Sequence, residues 1–175
     1  SEIGLVKGSV MDIEHYYATS CATSVFRDIY KQYVQRMENS RLIDFEDMLV
    51  YTWELFTQRK DILAAWQHKF QYILIDEFQD INLLQYKLIR MLALPQNNIF
   101  IVGDDDQSIY GFRGARPEIM LNFEKDFSDV KKVFLSVNYR SQAAIVRGAG
   151  CVIKNNKQRF DKQIQAVRPE EEPVD

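Results

Sequence analysis

Two short apolar runs, each followed at once by acidic residues, constrain the fold of this chain more than any other feature. They span residues 72–75 and 99–102, and they lead into Asp76-Glu77 and Gly103-Asp104. Runs without polar alternation are typical of strands that are buried on both faces, and such strands form parallel sheets. The sequence therefore predicts a parallel sheet whose strands end in acidic loops.

A third apolar run, at residues 133–135, predicts a further strand. Helical patterns lie between the runs, at residues 83–92 and 118–127, and another follows at residues 141–155. The predicted order is β-α-β-α-β with a closing helix. Right-handed crossovers place the carboxyl ends of the strands at one edge, which is where open α/β sheets bind ligands.

The first 70 residues have a helical character. They contain glycine only at Gly4 and Gly8 and no proline, and apolar residues recur at helical spacing over residues 25–37 and 45–56. Asp44 precedes the second stretch and predicts an N-cap, and a further helix is expected near residues 61–70. The fold class is α/β, a parallel sheet of about three strands preceded by an all-helical segment.

Composition excludes several classes of protein. The 175 residues carry 22 Lys and Arg against 25 Asp and Glu, a formal charge of −3, which argues against binding nucleic acid by charge alone. Cations outnumber acids between Arg147 and Arg168, a candidate phosphate-facing window. Cys21 and Cys151 are too few and too distant for a disulfide framework or a zinc site. No apolar stretch approaches a membrane helix in length, so a cytoplasmic protein without membrane contact is expected.

Asp76 and Glu77 are the first candidate site residues. Two adjacent acids at the end of a buried strand can give Asp76 to a hydrated Mg²⁺ and leave Glu77 to orient or deprotonate an attacking water. This is the Walker B arrangement. The alternative is a solvated acidic turn, which is the more frequent structure when an acidic pair follows a strand and no other motif accompanies it.

The second strand leads into a loop in which three acids precede Gln107 and an aromatic-Gly-aromatic-Arg segment. The amide of Gln107 suits contact with a γ-phosphate, Phe112 suits stacking on a base, and Arg113 suits holding a phosphate. The acids do not have the spacing of a calcium loop. Core packing of Tyr110 and Phe112 is the alternative.

Tyr139 and Arg140 follow the third apolar run. An arginine that enters from a neighbouring lobe can neutralise charge on a transferred γ-phosphoryl group, and a tyrosine beside it can pack on a purine. The dipeptide indicates little by itself, and its significance comes from its position one strand after the Gln107 loop.

Four stretches in this order resemble the motifs of superfamily 1 DNA helicases of the UvrD, PcrA and Rep type. They are residues 42–49, 72–80, 102–115 and 135–141, with the sequences LIDFEDML, YILIDEFQD, VGDDDQSIYGFRGA and LSVNYRS. The stretch around Gln107 is highly specific. The flanks, residues 1–40 and 142–175, resemble the family only loosely.

The resemblance implies an ATP-dependent DNA helicase with ATP and Mg²⁺ as cofactors. Asp76 would hold Mg²⁺ through water, Glu77 would be the catalytic acid of motif II, and Gln107 would sense the γ-phosphate from motif III. Tyr139 and Arg140 would be the motif IV residues that contact the adenine and the γ-phosphate.

The same resemblance implies single-stranded DNA and duplex junctions as partners, with 3′ to 5′ movement and a role in DNA repair or replication. Tyr110, Phe112 and Arg113 would couple Gln107 to the DNA, and Phe112 stands where many relatives carry Trp. Asp105 stands where relatives often have Pro.

The chain departs from the family pattern in what it lacks. None of its seven glycines is followed by lysine, so a Gly-Lys-[Ser/Thr] phosphate loop is absent, as are motifs V and VI. The resemblance then implies a central fragment, inactive in isolation. Residues 1–70 would be a 1B-like helical insertion, 71–136 the second half of the first RecA-like P-loop NTPase lobe, and 137–175 the start of the second lobe. A stand-alone module that binds nucleic acid or a partner without hydrolysing ATP is the open alternative.

Overall fold

The computed structural model describes residues 2–9, 11–109 and 114–169. Contacts divide the chain into two compact units, residues 1–120 and residues 121–175. Within the described ranges, no helix is both long enough and apolar enough to cross a membrane.

Helices dominate the first unit, and a small parallel sheet accompanies them. The helices are α1 (Glu2–Ser9), α2 (Thr23–Asn39), α3 (Phe45–Gln58), α4 (Lys60–Lys69), α5 (Leu83–Ala93) and, at the division between the units, α6 (Pro117–Leu121). The strands are β1 (Ile73–Ile75) and β2 (Ile99–Ile101), and single 3-10 turns occupy Ile13–His15, Phe78–Asp80 and Asp105–Gln107. The second unit contains α7 (Phe123–Asp126), β3 (Val137–Gln142), α8 (Ala143–Ile153) and β4 (Gln165–Arg168).

The parallel pair predicted from the two apolar runs is present. β1 and β2 are parallel, and Leu74 lies opposite Phe100 in the register. The prediction that both faces are buried is wrong for the described residues, because Leu74 and Phe100 are 72% and 60% exposed. The isoleucines on the other face are half-buried. An apolar run shows that two-sided burial is possible, but the described part of the chain covers only one face.

The third strand begins later than the sequence predicted. Residues 133–135 have no regular structure, and Val133 and Leu135 are 70% and 85% exposed. Pairing starts at Ser136, whose carbonyl oxygen accepts a hydrogen bond from the Gln165 N–H at 2.8 Å. β3 is therefore parallel to β4 in a separate two-stranded sheet. The prediction of a strand at 133–135 is wrong because an apolar run cannot show which partner strand its backbone groups will meet.

The predicted helices around residues 25–37, 45–56 and 61–70 are present as α2, α3 and α4. Asp44 caps α3 as predicted, since its carboxylate accepts the Asp47 N–H at 2.7 Å and the Asp47 carboxylate accepts the Asp44 N–H at 3.1 Å. The predicted helix at 118–127 is instead two short helices, α6 and α7, with Asn122 between them. Asparagine is a poor residue for a helix interior because its side chain competes for backbone hydrogen bonds.

α3, α4 and α5 share an apolar core. Phe56, Leu63 and Leu88, one from each helix, form a buried cluster. The partly buried side chains packed around it are Leu49, Trp53, Ile62, Met91 and Leu92. This core fixes α5, the helix that directly follows the first acidic loop.

α1 lies within the 70 residues predicted to be helical, although no individual helix was predicted there, and it supplies a buried cation. Lys7 is 8% exposed, and its Nζ lies 2.7 Å from Oδ2 of Asp44 and 2.6 Å from Oδ1 of Asp47. Burial by itself would lower the pKa of Lys7, but the hydrogen bonds and charges of the two carboxylates outweigh burial and leave that pKa raised. The cluster ties α1 to the N-terminus of α3.

Candidate active site

The loops that follow β1 and β2 lie side by side at the carboxyl edge of the parallel pair. The Val102 N–H donates to the Ile75 carbonyl oxygen at 2.8 Å, and the Phe78 N–H donates to the Val102 carbonyl oxygen at 2.9 Å. Residues 76–80 therefore run beside residues 103–108. We call these segments the first loop and the second loop.

Glu77 occupies the sharpest point of the first loop. Its φ of 51° and ψ of 42° lie in the left-handed region, which few residues other than glycine adopt. The Glu77 N–H donates to Oδ1 of Asp76 at 2.9 Å, and both carboxylates are exposed. Phe78, the next residue, is fully buried and meets the ring of Tyr86 edge to face, so it anchors the turn.

The second loop forms a turn around Asp104. The Asp104 carboxylate accepts hydrogen bonds from the Asp106 N–H at 3.2 Å and from Nε2 of Gln107 at 3.1 Å. The Gln107 N–H donates to the Asp104 carbonyl oxygen at 3.0 Å. The exposed Gln107 side chain is thus held at the edge where the first loop also ends.

Gln79, which the sequence analysis passed over, joins the two loops. It is 1% exposed, its Nε2 donates to Oε2 of Glu77 at 2.8 Å, and its Oε1 accepts the Asp104 N–H at 2.9 Å. The close approach requires glycine at position 103, because a Cβ there would lie 2.6 Å from Oε1 of Gln79. The only sequence signal for this role is an amide placed among acids in the first loop.

α1 supports the residues that follow each loop. A Cβ on Gly8 would lie 3.3 Å from Nδ2 of Asn82, the residue that caps α5 through reciprocal bonds with Gln85. A Cβ on Gly114, whose φ is 78°, would lie 3.2 Å from Cδ2 of Leu5. α1 therefore lies next to Asn82, which follows the first loop, and next to Gly114, which follows the second loop.

The first loop suits water-mediated binding of Mg²⁺. In the described ranges, no three His, Cys, Asp or Glu side chains form a group that could enclose a metal ion. Oδ1 of Asp76 accepts the Glu77 N–H, while its Oδ2 has no hydrogen-bond partner among the described residues. In nucleotide sites Mg²⁺ is usually held by one or two carboxylates, water and substrate phosphates. An exposed carboxylate with one oxygen available fits that mode.

Tyr139 and Arg140 lie on β3 in the second unit. The side-chain oxygen of Asn138 accepts the Arg140 N–H at 2.9 Å and the Ser141 N–H at 2.8 Å, where the β3–β4 register is irregular. Tyr139 is 71% exposed and Arg140 is also exposed. The second unit thus presents both side chains to solvent.

The residues predicted to contact nucleic acid lie in two parts of the chain. Tyr110, Phe112 and Arg113 lie outside the described residues. The basic window from Arg147 to Arg168 includes the last part of α8 and all of β4, and most of its cations are exposed.

Known proteins are similar to this chain in sequence. A family model described as the UvrD/REP helicase N-terminal domain matches residues 7–128, which include both loops. The YjcD protein of Bacillus subtilis is 48% identical over 140 residues, which are 80% of this chain and 18% of YjcD. DNA helicase II of Rickettsia typhi is 48% identical over 136 residues, which are 78% of this chain and 21% of that helicase. ATP-dependent DNA helicase PcrA of Staphylococcus aureus is 39% identical over 157 residues, which are 90% of this chain and 22% of PcrA. The chain spans about a fifth of the length of these relatives.

Proposed function

The chain belongs to the UvrD/REP helicase family, and we propose that it forms the central part of an ATP-dependent DNA helicase whose two acidic loops hydrolyse Mg·ATP. Residues 71–136 would complete the first RecA-like lobe, residues 137–175 would begin the second, and residues 1–70 would be the helical insertion. Because the 175 residues contain no Gly-Lys-[Ser/Thr] loop, we expect the isolated chain not to hydrolyse ATP.

The meeting of the two loops supports this function most strongly. A solvated acidic turn would not require a buried amide that joins Glu77 to the second loop. The exposed apolar face of Leu74 and Phe100 also supports placement within a larger lobe, because parallel sheets are normally covered on both faces.

The chemistry assigned to each side chain follows from its position. Asp76 would hold Mg²⁺ through water, and the bound ion would neutralise charge on the β- and γ-phosphates. Glu77 would orient or deprotonate the attacking water, and Gln107 would contact the γ-phosphate. Tyr139 would pack on the adenine, and Arg140 would neutralise charge that develops on the γ-phosphoryl group.

Contact with DNA would follow directly from the second loop. Tyr110, Phe112 and Arg113 come three to six residues after Gln107, so a change at the γ-phosphate would reach the DNA through one short segment. Single-stranded DNA and duplex junctions are the proposed partners. Movement in the 3′ to 5′ direction and a role in DNA repair or replication complete the proposal.

Glu77→Gln in the full-length protein that contains this chain tests the assignment. The amide keeps the shape of the side chain but cannot accept a proton, so turnover should fall by about 10²- to 10⁴-fold while Mg·ATP still binds. Steady-state hydrolysis and titration with a fluorescent ATP analogue measure the two properties. Asp61→Asn, which changes an exposed acid on α4, is the matched control and should keep wild-type turnover. Wild-type turnover in Glu77→Gln, or loss of its nucleotide affinity, would contradict the assigned role.

A further inference from the structure

Gln79 lies at the centre of a continuous chain of hydrogen bonds between the two loops. Oε2 of Glu77 accepts from Nε2 of Gln79 at 2.8 Å, and Oε1 of Gln79 accepts the Asp104 N–H at 2.9 Å. Oδ2 of Asp104 in turn accepts from Nε2 of Gln107 at 3.1 Å. We call these four residues the amide bridge. It joins the two side chains to which hydrolysis and γ-phosphate sensing are assigned.

We propose that Gln79 is a positioning residue which, given the proposed function, aims the Glu77 carboxylate and makes its orientation depend on the position of the Gln107 loop. Gln79 is distinct from the residues that would touch ATP, Mg²⁺ or DNA. Its action is exerted through Glu77 and Asp104.

Burial and crowding fix the orientation of the Gln79 amide. With 1% exposure, both ends of the side chain need partners inside the protein. The Asp104 N–H can only donate, so the amide oxygen must face Asp104 and the amide nitrogen must face Glu77. The backbone of Gly103 passes so close that a Cβ would lie 2.6 Å from Oε1. The donor that faces Glu77 therefore has little freedom to turn away.

This arrangement has a consequence for the Glu77 carboxylate. One carboxylate oxygen is held by Gln79, which restricts rotation of the group and leaves the other oxygen for an attacking water. Gln107 is hydrogen-bonded to Asp104, and Asp104 is hydrogen-bonded to Oε1 of Gln79. A shift of Gln107 would therefore move the Gln79 amide and change the direction in which its Nε2 donates to Glu77. Sensing and hydrolysis would thus be coupled without direct contact between Glu77 and Gln107.

The test compares two Gln79 variants in the full-length protein. Gln79→Met keeps the size of the side chain but removes both hydrogen bonds, whereas Gln79→Glu keeps an oxygen for the Asp104 N–H and removes the donor to Glu77. Loss of a partner that orients a functional group typically costs about 10- to 100-fold, so kcat should fall by that factor in both variants. The KM for ATP should stay within about twofold, and kcat is calculated per folded molecule, with the folded fraction measured by circular dichroism, because unfolded enzyme would lower the apparent kcat without changing KM.

Gln67→Met provides the matched control. It makes the same substitution on α4, outside both loops, where the part-buried Gln67 amide donates to the Met91 carbonyl oxygen at 2.7 Å. We expect wild-type kcat in Gln67→Met. If Gln79→Met and Gln79→Glu both keep wild-type kcat while Glu77→Gln is inactive, the positioning role is overturned and the proposed function stands. If Glu77→Gln itself keeps wild-type turnover, the proposed function is wrong and the role of Gln79 falls with it.

A second measurement, on the 175-residue chain, does not depend on activity. In Gln79→Met the Asp104 amide should exchange its hydrogen about tenfold faster than in the wild type, because it loses its acceptor. The Val102 amide, which donates to Ile75 at 2.8 Å, should exchange at the wild-type rate and so report intact pairing of the strands. Unchanged exchange at Asp104 would show that the amide bridge does not form, and would overturn the proposal.

Discussion

Replacement of Lys7 tests how α1 is held against α3. Lys7→Met keeps an unbranched side chain, one atom shorter than lysine, and removes the charge from between Asp44 and Asp47, which lie 2.7 and 2.6 Å from Nζ. The two aspartate side chains are only 20% and 10% exposed, so their negative charges would stay partly buried without a cation. Breaking a buried ion pair in this way typically costs about 3–5 kcal/mol of the free energy of unfolding.

The contacts that Asp44 and Asp47 keep in Lys7→Met place the expected loss in the free energy of unfolding near the lower end of this range, about 3 kcal/mol. Asp44 keeps the hydrogen bond from the Tyr33 hydroxyl at 2.7 Å, and the reciprocal capping bonds between Asp44 and Asp47 are untouched. Small domains are stable by about 5–15 kcal/mol, so the loss should be clear but need not unfold the chain.

The pH dependence of this loss follows from the pKa shifts. Burial would raise the pKa of Asp44, but hydrogen bonds from Lys7, the Asp47 N–H and Tyr33 outweigh burial and hold that pKa below its ordinary value. A depressed carboxyl pKa stabilises the fold above the unfolded pKa of about 3.9, and the stabilisation disappears as the pH falls through the folded pKa. The raised pKa of Lys7 stabilises the fold below about pH 10.4 and ceases to do so as the pH rises through the folded pKa. The difference between wild type and Lys7→Met should therefore be constant between about pH 5 and 9 and should shrink below about pH 4.

Urea denaturation followed by circular dichroism measures this difference at each pH. Lys31→Met is the matched control, because Lys31 pairs with Glu14 at 2.9 Å where both side chains are more than half exposed. Exposed pairs contribute little, so the control should resemble the wild type. A Lys7→Met loss no larger than that of Lys31→Met, or a loss equally large at pH 3 and pH 7, would refute the reasoning.

Two further predictions concern Gly103 in the second loop and the residues that follow that loop. Gly103→Ala places a Cβ 2.6 Å from Oε1 of Gln79 and 3.1 Å from the Phe78 nitrogen, so it should lower the free energy of unfolding by about 1–3 kcal/mol; Gly148→Ala, which meets nothing within 4 Å, should raise it by about 0.5–1 kcal/mol. Equal urea midpoints for these two variants would contradict the close approach of Gly103 to Gln79. In the full-length protein, Phe112→Ala should weaken single-stranded DNA binding by about 1–3 kcal/mol at every salt concentration, whereas Arg113→Ala should also reduce the salt dependence. Fluorescence titrations over a range of salt concentrations measure both effects, and identical salt slopes for the two variants would contradict the separate roles of stacking and phosphate contact.

Features that depend on neighbours in sequence could be predicted from the sequence. The cap of α3 is an example, because Asp44 and Asp47 are three residues apart and satisfy each other's backbone groups. The parallel pairing of β1 and β2 was predictable for a related reason. Two apolar runs separated by a helical pattern have few ways to pair other than in parallel.

Features that depend on distant partners could not be predicted in this way. α1 has eight residues, including two glycines, and it is held by a cation that meets acids 37 and 40 positions away. Gln79 is one amide among acids until the Asp104 N–H is brought to it across the sheet edge. The strand predicted at residues 133–135 does not form, because the Gln165 N–H donates to the carbonyl oxygen of Ser136 and pairing begins there. Sequence patterns show which groups need burial or hydrogen bonds, whereas the partners that satisfy them are set by the fold.

The most direct test of the central claim is the rate of ATP hydrolysis by the full-length protein, measured with and without single-stranded DNA, beside the Glu77→Gln variant. If the two loops form the hydrolytic centre of a DNA helicase, DNA should stimulate hydrolysis and Glu77→Gln should lower it by about 10²- to 10⁴-fold at every DNA concentration. Hydrolysis that does not respond to DNA, or that persists at the wild-type rate in Glu77→Gln, would contradict the claim.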